Sequence, residues 1–181
     1  SKFLSNLCFC LAACCLVGAV VARHGRPVPY AGIGALAGGG MAAFCWFLFV
    51  QPDLTWRILV VNFALGGSDL LAAAELRVVR RNGPTEKILF VLALLSGLNF
   101  FARTLAVIIA QGPFKSYDQL YASSYWTTAL LSHALLSLLI ALSLLAAAAL
   151  DVVKALKAET HTDPLSGILN RRGFEERSTQ L

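Results

Sequence analysis

The chain has 181 residues, 57% of them apolar and 14% charged, with a mean hydropathy of +0.70. Those proportions exclude an ordinary soluble globular domain and match a polytopic membrane protein, for which lipid is the main solvent. The net charge of +5 does not signal nucleic-acid binding, because the basic residues fall in short loops and in the tail, where they set membrane topology.

Crossing ~30 Å of hydrocarbon takes about twenty apolar residues, and five stretches reach that length: 3–22, 30–50, 54–76, 88–111 and 126–150. Lipid offers backbone groups no hydrogen-bond partner, so each is predicted to be a helix and the fold to be an all-α membrane protein over residues 1–150. The first run lacks a small-x-small cleavage site followed by a polar mature domain and reads as a retained span. Ser1 in place of an initiator Met implies residues before it. Cys8, Cys10, Cys14, Cys15 and Cys45 all sit in apolar runs, where a thiol behaves as a small apolar group, and no nearby His or carboxylate makes a metal site of them.

In the second span the glycine-rich run from Gly32 to Gly40 is no phosphate loop, having neither a preceding strand nor a following Lys-Ser/Thr. Gly34 and Gly38 are expected to let another helix approach closely, and Gly66-Gly67 to do the same in the third span. One set of alternating loops carries Arg23, Arg26, Arg77, Arg80, Arg81 and Lys87, and the other only Arg57 and Lys115. Positive flanks stay in the cytoplasm, which puts Ser1 outside and everything after Leu150 inside. Trp56, Tyr117, Tyr121, Tyr125 and Trp126 then mark the outer boundary.

Ionisable residues at membrane depth are costly and are functional candidates by default. At a helical rise of about 1.5 Å per residue, Asn62, Arg103 and His133 lie roughly 10 to 12 Å below the outer boundary on three helices, with Asn99 a turn deeper. They form a candidate sensor pocket for a small polar or anionic ligand. The same arithmetic sets Asp69 near the inner side, level with Ser96 and Ser143, too far along the membrane normal to pair with Arg103.

In the fifth span Leu131, Leu135, Leu138, Leu142, Leu145, Ala149, Val152 and Leu156 are separated alternately by four and three residues, a heptad seam that continues into a charged linker over 151–162. Beyond it comes Thr162-Asp163-Pro164-Leu165-Ser166-Gly167-Ile168-Leu169-Asn170-Arg171-Arg172-Gly173-Phe174. This run resembles the opening of a GGDEF domain, Asp-x-Leu-Thr-Gly-Leu-x-Asn-Arg-Arg-x-Phe, matching at Asp163, Leu165, Gly167, Asn170, Arg171, Arg172 and Phe174.

The resemblance implies a diguanylate cyclase, an enzyme of the bacterial inner membrane that condenses two GTP into cyclic di-GMP as a homodimer with Mg²⁺. Residues 163–181 would begin its α/β catalytic domain, and every residue acting on GTP would come after Leu181. In that family the Asp of the motif pairs with an Arg of Asn-Arg-Arg, which assigns a hinge to Asp163 and Arg171 or Arg172. The alternative is a membrane receptor whose GGDEF domain is degenerate or leads into a cyclic di-GMP phosphodiesterase domain. A transporter fits less well, since the spans show no clear inverted repeat.

Overall fold

The computed structural model describes residues 2–79 and 83–160. Among these residues all regular structure is helical. The helices are α1 (Lys2–Arg23), α2 (Tyr30–Val50), α3 (Leu54–Val79), α4 (Pro84–Gln111), a single-turn α5 (Tyr117–Tyr121) and α6 (Ser124–Thr160). All but α5 are long and apolar enough to cross a membrane, so the chain has the make-up of a multi-pass membrane protein.

The helix ends obey capping chemistry rather than hydropathy. α4 starts at Pro84, not at residue 88, because proline suits the first helical position and Glu86 complements the first turn. It stops at Gly112, whose φ of 73° suits a residue without Cβ. The predicted fifth span and most of the predicted linker form one unbroken helix of 37 residues. At about 1.5 Å per residue it is roughly 55 Å long, well beyond the ~30 Å of a bilayer core.

The chain divides into two compact units, Ser1–Ala141 and Leu142–Leu181. In the first, α3 is central and packs on α1, α2 and, most extensively, α4. It can do so because its buried positions are small: Ala64, Gly66, Ser68, Ala72 and Ala73. Helix association in lipid relies on close packing rather than on expulsion of water, so small residues matter most where backbones meet. A Cβ on Gly66 would lie 2.9 Å from Phe100 Cβ, and one on Gly97 would lie 3.0 Å from the Gly66 carbonyl oxygen. At this crossing the Ser96 hydroxyl donates to Asp69 Oδ2 at 2.5 Å, pairing the two buried polar side chains expected at one depth.

The glycines of α2 act differently from the expectation. A Cβ at Gly34 or Gly38 would meet nothing, whereas one at Gly40 would overlap Ala64 Cβ. Gly34–Gly38 is a π-helical stretch. Its wider turn keeps residues four apart nearer one face than about 3.6 residues per turn would, so Gly32, Leu36 and Gly40 make the row that faces α3. Leu36 fills the space left by Gly67 on that helix.

At the other end of the bundle Arg23 pairs with Glu86 at 3.1 Å and Arg26 with Glu75 at 2.6 Å. The loop after α1 thus meets one glutamate on each arm of the α3–α4 hairpin. In the second unit the described residues, 142–160, are helical, and Leu142, Leu145, Val152 and Leu156 are exposed. The motif from Asp163 to Phe174 lies outside the described residues.

A candidate ligand cavity around Arg103

Helix α6 supplies a polar stripe at Tyr125, Ala129, Ser132 and His133, positions i, i+4, i+7 and i+8 that share one face. Opposite it, α3 presents Arg57, Ile58, Val61, Asn62 and Leu65, again one face, and α4 presents Phe100 and Arg103 one turn apart. The backbone of α6 approaches its neighbours much less closely than α3 approaches α4. A cavity of about 340 Å³ occupies the gap, lined also by Asn6 and Phe9 of α1, Phe44 of α2 and the α5 region.

Arg103 organises the polar wall. Its Nη2 donates to Asn62 Oδ1 at 3.1 Å, and its Nη1 donates to Ser132 Oγ at 2.9 Å and to the Ala129 carbonyl at 3.2 Å. Asn99 Nδ2 donates to the same Ser132 oxygen at 3.1 Å, and Asn62 Nδ2 donates to the Tyr125 hydroxyl at 2.9 Å and to the Ile58 carbonyl at 2.7 Å. Of the four expected pocket residues, Asn62, Asn99 and Arg103 therefore belong to one hydrogen-bonded network. His133 lines the cavity through ring contacts, 5.4 Å from Phe100 and 5.8 Å from Phe9 between centroids.

All of Arg103's hydrogen-bond acceptors are neutral, and its charge is otherwise met by the faces of Phe100 at 5.5 Å and Tyr125 at 5.4 Å. Cation–π contacts of this kind contribute about 0.5 to 2 kcal/mol to a guanidinium that is half-buried. The Nε–H is buried with no hydrogen-bond partner among the described residues. Arg57 also lines the cavity; it donates to the Asp53 backbone carbonyl at 3.0 Å and to the Tyr117 hydroxyl at 2.9 Å. No carboxylate lines the cavity among the described residues.

The segment after α4 covers the end of the cavity nearest Arg57. Phe114 N donates to Thr55 Oγ1 at 2.9 Å, and Ser116 caps α5 by accepting from Gln119 N at 3.2 Å. Leu54, Phe114, Leu120 and Tyr125 pack there as a buried cluster. Trp56 and Tyr121 are exposed, whereas Tyr125, expected with them at the outer boundary, is only 4% exposed. It turns inward because Asn62 and Arg103 offer its hydroxyl and its ring face a partner that lipid would not.

Ser132, Tyr125 and Arg57 are site residues that depth and charge within the spans do not single out. The signal that finds Ser132 and Tyr125 is their spacing with His133 on a helix otherwise rich in leucine. No protein-family model, curated protein or solved structure matches the chain.

Proposed function

We propose that this chain is the membrane sensor of a diguanylate cyclase. Its N-terminal end lies outside a bacterial inner membrane and everything after Leu150 lies in the cytoplasm. The observation that carries this reading is the continuity of α6. The helix whose face at Tyr125, Ala129 and His133 walls the cavity, and whose Ser132 accepts from Arg103, runs unbroken to Thr160, three residues before the Asp163 of the GGDEF-like motif.

An occupant that changes how Ser132 and Tyr125 sit against Arg103 and Asn62 biases the helix that leads into the enzyme. It does so only by as much as its affinity differs between two arrangements of that helix. The stripe from Leu131 to Leu156 is exposed along α6, which supports a homodimer formed through that face. Asp163 with Arg171 or Arg172 serves as the hinge between helix and catalytic domain. On this reading Mg²⁺ and GTP are bound by the catalytic domain that the motif at Asp163 would open.

The test is cyclic di-GMP formation from GTP and Mg²⁺ by the full-length protein in membrane vesicles, comparing wild type with Ser132→Leu and Arg103→Leu. The reading predicts turnover by the wild type and a change of about fivefold or more in both variants. Absence of cyclic di-GMP, or a rate indifferent to both substitutions, contradicts it.

A further inference from the structure

The walls of the cavity specify what kind of molecule it holds. Two guanidinium groups, those of Arg57 and Arg103, line it, no carboxylate is among the described lining residues, and both spend their visible hydrogen bonds on neutral acceptors. Elsewhere in the bundle the described arginines that meet acids, Arg23 and Arg26, are matched one to one with Glu86 and Glu75. The rest of the lining is apolar, including Phe9, Phe44, Leu65, Phe100 and Leu130. Phe9 on α1 is 49% exposed and Leu130 on α6 is 55% exposed, so the apolar side of the cavity is open between these helices toward the surface that lipid would cover.

A small inorganic anion would satisfy the guanidinium charges but would lose its water against a mostly apolar wall, which is costly. A neutral apolar molecule would fill the wall and leave the charge at Arg103 as it is. Only a molecule with one anionic head and an apolar body answers both demands. The volume of about 340 Å³ falls at the lower end of the range of about 300 to 1,000 Å³ typical of small-molecule sites.

Resting on the sensor reading above, we infer that the cavity binds an amphipathic monoanion. Its carboxylate or phosphate head is held at Arg103 and Arg57, and its acyl-like body lies along Phe9, Phe100 and Leu130. Such a head adds charge-assisted hydrogen bonds to guanidinium donors that the protein leaves unused. Its tail passes between α1 and α6 toward lipid. The same chemistry is offered by a free alkyl carboxylic acid and by the headgroup of an anionic phospholipid.

Trp126 lines the cavity and provides the readout. The full chain, with Trp46→Phe and Trp56→Phe, is placed in phosphatidylcholine nanodiscs. Quenching of its fluorescence is measured for a terminally brominated dodecanoate and for the corresponding brominated dodecanol at equal mole fractions in the disc. The carboxylate is expected to quench at about tenfold lower mole fraction than the alcohol, and Arg103→Leu is expected to abolish that preference. Arg57→Leu, nearer the bundle end, is expected to reduce it and serves if the Arg103 variant does not fold.

Repeating the titration in phosphatidylglycerol discs separates the sources. Quenching that persists assigns the site to the free acid, and quenching that is competed away assigns it to the headgroup. Equal quenching by acid and alcohol in the wild type, or an acid preference that survives loss of both arginines, overturns the inference. This measurement does not involve cyclic di-GMP. An acid preference with no effect of the acid on the full-length enzyme would refute the sensor reading alone, and an arginine-dependent enzyme blind to the acid would refute the ligand class alone.

Discussion

At the scale of residues, two substitutions separate packing from composition in the glycine-rich second span. Gly40 faces Ala64 so closely that a Cβ would overlap it, while Gly34 nearly two turns away faces open space. Gly40→Ala must push α2 off α3 and is expected to cost about 1 to 3 kcal/mol. Gly34→Ala removes backbone freedom from the unfolded chain without a clash and is expected to stabilise by about 0.4 to 1 kcal/mol. Thermal unfolding in detergent should therefore shift in opposite directions, and equal shifts would deny that the Gly32–Leu36–Gly40 row is the contact face. The sequence showed that glycines here serve packing, but not which ones, since the face depends on a π-helical stretch that a regular 3.6-residue period does not contain. Arg103 and Asn62 stood out in the sequence because polar groups in apolar spans are rare. Ser132 did not, because a serine is cheap in a membrane helix and gains meaning only from the groups that stand across from it.

At the scale of elements, α6 both walls the cavity and leads to the GGDEF-like motif. Its leucine stripe at Leu131, Leu135, Leu138, Leu142 and Leu145, continued by Val152 and Leu156, is exposed along its length. If that face is a dimer seam, insertions after Leu156 should act through phase. Three or four added residues keep the heptad approximately in register, while two rotate the downstream chain by roughly 200° at about 100° per residue. Cyclic di-GMP formation by the full-length protein should survive insertions of about one turn or two and fall several-fold for an insertion of two residues. Equal rates across the series would make the helix a passive tether. The spans themselves were legible because length and hydropathy suffice to identify them. The helix ends were less so, since Pro84 and Glu86 start α4 within a polar stretch that hydropathy assigns to a loop.

At the scale of the whole molecule, the cavity lies toward the end of the bundle that carries Asp53, Arg57 and Tyr117, and the Arg23–Glu86 and Arg26–Glu75 pairs lie toward the other. The proposed cytoplasmic placement of that second end rests on the excess of lysine and arginine in the loops near it. The proposed sensor, in which the cavity samples the outside while α6 delivers its state to an enzyme supplied with GTP, requires this orientation, which makes it the claim on which the others rest. It is tested by placing a single cysteine at Lys115 or at Lys87 in a background from which the five native cysteines have been removed, and treating intact cells with a membrane-impermeant thiol reagent. Modification at position 115, with protection at position 87 until the cells are opened, is the result this account predicts. Modification at position 87 with protection at position 115 would place the cavity end in the cytoplasm and contradict the account.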